Sequence, residues 1–291
     1  MCFYQPLPMF EYPENLTYDL GKYISEVVDW MTVHWSSFFD AISSGLLWIL
    51  LNLTDFLTWV PWWYFILAVF LLACQYKSVS SGILYTVFLL MICIFGLWDM
   101  TMFTLTIVIA SVVISVLIGI PLGILMATNN RFEVFFKPLL DAMQTMPTFV
   151  YLIPGIFFFG LGLVPGVIST IIYALPPIIR LTNLGIRSVP KEMVEASLAF
   201  GSTEGQLLKK VQLPLALPTI MVGVNQTTMM ALAMVVVASM VGVEGLGLEV
   251  LTALNQIDVA KGFEAGLSIV FIAIIIDRLT LAISEKSQWK A

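Results

Sequence analysis

Beyond residue 60 the sequence is built of long apolar runs separated by short polar breaks. A bilayer core takes about 20 apolar residues per helix. By that rule the chain predicts about seven membrane-spanning helices, over 62–76, 82–98, 102–127, 139–163, 166–182, 218–243 and 263–284. Pro147 and Pro154 interrupt the fourth, which predicts a kinked helix packed against protein rather than lipid. Between the fifth and sixth runs lies a long polar stretch, 183–217, too hydrophilic to enter a bilayer.

The stretch 22–60 has a different pattern. Phe39, Ile42, Leu46, Ile49, Leu53, Phe56 and Val60 recur every three or four positions, with Asp40, Ser44, Asp55 and Thr58 mainly off that stripe. This predicts an amphipathic helix lying on the outer membrane surface. The alternative is an eighth span over 38–59, which would move the N-terminus to the other side.

Basic residues set the orientation, because loops rich in lysine and arginine stay in the cytoplasm. With 183–217 cytoplasmic, so are Lys77, Arg131, Lys137, Arg180, Arg187, Lys191, Lys209, Lys210, Arg278, Lys286 and Lys290, leaving only Lys22 and Lys261 outside. Seven spans then place the N-terminus outside and the C-terminus inside.

Composition agrees with a membrane protein: of 291 residues, 59% are hydrophobic and 11% charged, too few charges to cover a soluble domain of this size. Cys2, Cys74 and Cys93 show no paired spacing, and one histidine, His34, excludes HExxH sites and histidine clusters. An intramembrane enzyme therefore lacks its ligands and its nucleophile–base pair. Residues 1–12 lack the basic-then-apolar order of a cleaved signal. An ion-coupled secondary transporter needs ionisable groups near the bilayer midplane, whereas Asp141, Arg180, Asp277 and Arg278 fall near predicted helix ends.

The polar stretch carries the candidate chemistry. From 187 to 218 it reads RSVPKEMVEASLAFGSTEGQLLKKVQLPLALP. Ser188 is placed to cap a first short helix with Pro190 in its opening turn, and Gly201 to stop it. Ser202 is placed to cap a second, with Glu204 in its first turn and Pro214 closing the pair. Two short helices projecting between spans form a rigid element able to receive a push from a soluble partner.

Glu195, Ala196 and Ser197, then Gly201, then Leu213 and Pro214 resemble the EAA motif of bacterial ABC importer permeases, with Ser197 in place of the usual second alanine. The resemblance extends over about 100–281. Within it LLDAMQTMPTFVYLIP (139–154), YALPPIIRLTNLGIRSVP (173–190) and VQLPLALPTIMVGVNQTTMMALAMVVVASMVG (211–242) are similar to glycine betaine/proline betaine permeases.

This resemblance implies an all-α polytopic fold of the type I importer kind. It divides into a core of five spans over 100–291 with a coupling segment at 187–217, two accessory spans over 61–99, and an outer tail over 1–60. It implies a bacterial cytoplasmic membrane location and import of a compatible solute such as glycine betaine, proline betaine, carnitine or choline. Its partners would be an ATP-binding cassette ATPase, an extracytoplasmic binding protein, a second copy of the chain and the lipid bilayer, with no nucleic acid. ATP and magnesium would belong to the ATPase, since this chain carries no GxxxxGK[ST] phosphate loop and is itself non-catalytic.

Along the path, Asn225, Gln226, Thr227 and Thr228 form a polar cluster inside the sixth run, followed by Met229, Met230, Met234 and Met240. Asn225, Gln226 and Met230 are candidates to line the route, although hydrogen bonding between helices explains such polar residues equally. Tyr151 and Phe157 offer aromatic faces to a quaternary ammonium, or simply pack. The glycines from Gly242 to Gly247 predict a turn after the sixth span, because no strand precedes them.

Overall fold

In hydrocarbon every backbone N–H and C=O must find a partner within the protein, and the described residues meet this with helices alone. The computed structural model describes residues 20–288. Residues 1–19 of the outer tail predicted over 1–60, Cys2 among them, and Lys290 lie outside the described residues.

The chain opens with α1 (Leu20–His34) and α2 (Ser36–Trp59), then a hairpin of α3 (Trp62–Tyr76) and α4 (Val79–Ile94). The long α5 (Trp98–Thr128) leads to α6 (Asn130–Thr145), a 3-10 turn (Thr148–Tyr151) and α7 (Leu152–Phe159). Next come α8 (Leu163–Arg187), the short α9 (Lys191–Ala199) and α10 (Glu204–Leu207), a π turn (Leu208–Gln212) and α11 (Leu213–Ser239). The chain closes with α12 (Leu246–Gln256) and α13 (Val259–Gln288). Among the described residues, five helices are long and apolar enough to cross a membrane: α2, α5, α8, the unbroken helix Glu204–Ser239, and α13.

The centre of the bundle is α8, gripped between α5 and α11. Gly119 and Gly123 lie four positions apart and so share one face of α5. A Cβ on Gly119 would stand 2.3 Å from the Ile178 side chain, and one on Gly123 would stand 2.5 Å from Thr182 and 2.8 Å from the Ile179 carbonyl oxygen. This is small-residue packing of membrane helices, in which missing side chains let two backbones close up and gain dispersion contact. On the same seam Ser115 Oγ donates to the Ile171 carbonyl at 3.3 Å.

The α3–α4 hairpin buries Ile66, Val69, Tyr85, Leu89 and Ile92 in a cluster with Met102 of α5 and Ile272 of α13. Phe88 stacks on Phe271 at 4.4 Å. These helices match two predicted spans but have only 15 and 16 residues, about 22–24 Å at 1.5 Å per residue, short of a bilayer core of about 30 Å.

The predicted fourth span is not one kinked helix. The chain turns by 116° between α6 and the segment Thr148–Phe159, because Pro147 takes an extended conformation (φ −57°, ψ 141°) and ends the helical path outright. Helix α6 is amphipathic, burying Leu140 while Val134 and Phe135 stay exposed.

Helix α2 combines features of both predicted alternatives. It has the length and apolar character of a span. Its partners, however, lie at one end of the bundle: Phe39 stacks on Phe158 at 4.8 Å near the end of α7, and Thr54 Oγ1 meets Thr106 Oγ1 at 3.3 Å in the first third of α5. Its buried stripe is Leu46, Leu50 and Leu57, whereas Ile49 and Phe56, expected on that stripe, are exposed.

The turn after α11 falls where the glycines place it. Helix α12, not foreseen, follows at once, fixed by the Leu246 N–H donating to Thr104 Oγ1 at 2.8 Å.

If the α5–α8 seam holds the bundle, Gly123→Val should destabilise it by about 1–3 kcal/mol through overpacking. The check is a lower melting temperature for the purified protein, with Gly266→Ala, where a Cβ meets nothing within 4 Å, leaving it unchanged.

Candidate coupling hairpin and transport path

The polar stretch 187–218 folds as a helical hairpin at the end of the bundle that carries Arg187. Ser188 does not cap α9. It ends α8, where its Oγ donates to the Gly185 carbonyl at 3.1 Å, because α8 continues to Arg187, well beyond the expected boundary near 182. Pro190 itself is the N-cap of α9, and its carbonyl accepts from the Met193 N–H at 3.1 Å.

At the other end of α9 the Gly201 N–H donates to the Leu198 carbonyl at 2.9 Å and the Ser202 N–H to the Ser197 carbonyl at 3.2 Å. Together they form a Schellman closure, which requires a left-handed residue between them. Gly201 supplies it at φ +82°. A Cβ there meets nothing within 4 Å, so the demand is on backbone conformation alone.

The second helix is capped by Thr203 rather than Ser202. The Thr203 hydroxyl accepts from the Gln206 N–H while the Gln206 side chain accepts from the Thr203 N–H at 2.9 Å, a complete capping box. Ser202 is spent on the Schellman closure one residue earlier. Nor does Pro214 close the pair. The helix runs unbroken from Glu204 to Ser239, 36 residues, passing through a π turn at Leu208–Gln212 just before Pro214.

The hairpin buries nothing on α9. Glu195, Ala196, Gly201 and Pro214 are exposed, while Ser197 and Leu213 are half-buried. Beside them Met193, Leu198 and Phe200 are 48%, 47% and 92% exposed. Sequence reasoning passed over these three, although apolar residues on a short polar-flanked helix are the available sign of a surface awaiting a partner.

Inside the bundle the expected path residues separate. Asn225 turns toward α13, where its Nδ2 donates to Asp277 Oδ1 at 2.7 Å. Met230 packs against the cluster shared by α3, α4, α5 and α13. Tyr151 is 3% exposed, its hydroxyl donating to the Met143 carbonyl and its ring edge-on to Tyr173 at 5.4 Å. Phe157 stays 62% exposed on α7.

Gln226, like Phe157, is exposed. It belongs to an uncovered stripe of α11 made of Val222, Gln226, Met229, Ala233 and Met240, spaced by three, four or seven and therefore on one face. Met229, not Met230, accompanies it. Gln226 also reaches a cavity of about 400 Å³ between α6, α8 and α11 that is lined by Glu133, Lys137, Arg180 and Arg187.

Ion pairs tie α6 to α8 around this cavity. Arg180 bonds Asp141, and Arg187 meets Glu133 at 3.0 Å while also donating to the Met126 carbonyl at 2.8 Å. Asn183 Nδ2 donates to the same Glu133 at 3.1 Å. Among the described residues no group of three or more His, Cys, Asp or Glu could hold a metal ion.

Comparison with known proteins bears on the hairpin and the bundle together. Residues 119–287 match the family described as "Binding-protein-dependent transport system inner membrane component". The glycine betaine/carnitine transport permease protein GbuB of Listeria monocytogenes is 47% identical over 285 residues, 95% of this chain and 99% of that protein. The glycine betaine/proline betaine transport system permease protein ProW of Escherichia coli is 45% identical over 269 residues, 92% of this chain and 76% of that one. Among solved structures, a chain of the inward-facing MetNI methionine ABC transporter superposes with a TM-score of 0.60 at 22% identity, covering 64% of this chain and 93% of that one. This last likeness concerns the fold.

The hairpin geometry makes a direct demand on position 201. Gly201→Asn, which tolerates the left-handed region, should keep coupling near normal, and Gly201→Val should lose it while inserting normally. Solute uptake and stimulation of the partner ATPase are the measurements, with membrane-inserted protein as the control.

Proposed function

The chain belongs to the binding-protein-dependent transport system inner membrane components, the non-catalytic, multi-pass permease subunits of ABC importers, and from that premise we propose that it imports glycine betaine or a close quaternary-amine relative as an osmoprotectant. The observation that carries the solute is identity of 45–47% across more than nine-tenths of the chain to permeases named for glycine betaine. Membership implies an ATPase and a binding protein as partners. A second copy of the chain completes the proposed pathway, facing the uncovered α11 stripe.

Glu195, Ala196, Ser197 and Gly201 form the proposed docking surface for the ATPase, with Leu213 and Pro214 at its root. Two features suit the hairpin to this task. Its exposed apolar side chains, Met193, Leu198 and Phe200, offer area to bury. Its second arm is the same helix as α11, so displacement of the arm is displacement of the helix that bears Gln226. The nucleotide and magnesium sit on the ATPase. Its closure shifts this chain between inward-open and outward-open arrangements by favouring one of them.

The proposed orientation puts the hairpin in the cytoplasm and the Gly242 turn outside, following the distribution of lysine and arginine. A cysteine replacing Lys209 should then react only with membrane-permeant reagents in intact cells, and one replacing Lys261 with impermeant ones. Equal labelling of the two would sink the orientation.

The solute is tested by radiolabelled uptake into vesicles containing this chain, its ATPase and its binding protein. ATP should drive glycine betaine inward, resistant to ionophores and competed by quaternary amines. Uptake driven by an ion gradient without ATP would defeat the importer mechanism. Competition by ordinary amino acids alone would reject only the solute.

A further inference from the structure

The cavity between α6, α8 and α11 has charged and apolar side chains interleaved along its lining. Lys137, Arg180, Arg187 and Glu133 line it together with Gln226, and Leu140, Pro177 and Leu181 complete it. With Asp141, the partner of Arg180, the charges at this place are three cations and two carboxylates. Glu133 is already committed to Arg187 at 3.0 Å and to Asn183 at 3.1 Å. Lys137 has no ion pair among the described residues. The local excess is positive.

Arg180 is incompletely used. One Nη donates to Asp141, while its Nε has no exposed surface and no hydrogen-bond partner. A guanidinium offers five donors in a planar fork that suits a carboxylate taken side-on, and a buried N–H without an acceptor is costly. The carboxylate of Asp141 is itself 56% exposed, so it can give up Arg180 and remain hydrated.

We propose that Arg180 receives the carboxylate of the transported zwitterion in this cavity, releasing Asp141 as it does so. Turning from Asp141 toward the cavity lets Nε and one Nη engage the incoming carboxylate together. The exchange trades one carboxylate for another, so the cavity's net charge is kept and neither arrival nor departure strands an unpaired arginine. A quaternary ammonium has no N–H to satisfy, and its methyl groups rest on Leu140, Pro177 and Leu181. A cavity of about 400 Å³ lies within the usual range for small-molecule sites. After the solute leaves, Asp141 recaptures Arg180, which keeps occupancy brief, as release requires. Because Asp141 belongs to α6 and Arg180 to α8, arrival of the solute also loosens one of the ties between these helices.

This inference rests on the quaternary-amine carboxylate solute proposed above, and its test separates the two. Leu184 lines the cavity and is 56% exposed, so a Leu184→Cys variant of the complete transporter in lipid nanodiscs reports access to it through its rate of maleimide labelling. Glycine betaine should slow labelling, and tetramethylammonium, which lacks the carboxylate, should not. Adding Arg180→Gln should remove the protection and cut uptake about tenfold or more, the scale of a lost charge-assisted bond. Arg180→Lys, a point charge without the fork, should recover part of it. Asp141→Asn should keep the protection while slowing uptake, since it frees the arginine to hold the solute but leaves no carboxylate to recapture it.

Protection unaffected by Arg180→Gln, or given equally by tetramethylammonium, would overturn the assignment. So would an Asp141→Asn variant that loses protection as Arg180→Gln does, which would reduce the pair to a structural tie. If the unmodified transporter takes up no glycine betaine, it is the solute reading that falls.

Discussion

Helices in a bilayer gain nothing from hiding apolar surface from one another, because lipid is as apolar as they are. What draws them together is contact, and contact depends on how closely the backbones approach. In this protein the decisive approach is that of α5 to α8. Gly119 and Gly123 leave no room for even a methyl group against Ile178, Thr182 and the Ile179 carbonyl. With α5 and α8 fixed, α11 packs on a neighbouring face of α8, where a Cβ on Gly223 would come within 3.1 Å of Leu181 and 3.2 Å of Ile178. The α3–α4 hairpin, α12 and α13 then add to that three-helix frame, and both the cavity and the coupling hairpin hang from it.

The frame explains how a push at one end reaches the other. Helix Glu204–Ser239 is at once the second arm of the hairpin and the wall that carries Gln226. The first arm differs: α9 joins α8 through the extended Pro190, which in the proposed coupling would serve as the pivot. Around the cavity the ties are electrostatic, Arg180 to Asp141 and Arg187 to Glu133, and such pairs exchange partners more readily than packed glycine seams.

Much of this was legible from residue pattern. The all-helical fold, the positions of α3, α5, α8, α11 and α13, and the Gly201 turn follow from hydropathy and glycine placement. Other elements were not, for identifiable reasons. Ser188, Ser202 and Thr203 are chemically equivalent as caps, and only the hydrogen bonds of the Schellman closure decide that Ser202 is engaged elsewhere. Pro214 reads as a helix stop unless a π turn precedes it, and no residue signals such a turn. Within the polar cluster, Asn225 and Gln226 are neighbours in sequence but about 100° apart around a helix, so one meets Asp277 and the other the cavity. Met229 and Met230 divide in the same way. Composition cannot tell which of two adjacent similar residues faces inward.

The π turn also sets a phase. Each residue along a helix rotates the chain by about 100° and advances it by about 1.5 Å, so the five residues of Leu208–Gln212 determine the compass bearing of the hairpin relative to the face that bears Gln226. Adding one residue there in α-helical winding would swing the exposed Phe200 and Glu195 by about 100°, more than a quarter turn, away from wherever a partner expects them. The length of this linkerless junction is thus a gear setting: two surfaces that never touch are kept in mesh by the count of residues between them, and an added helical residue at 208–212 would put them out of phase.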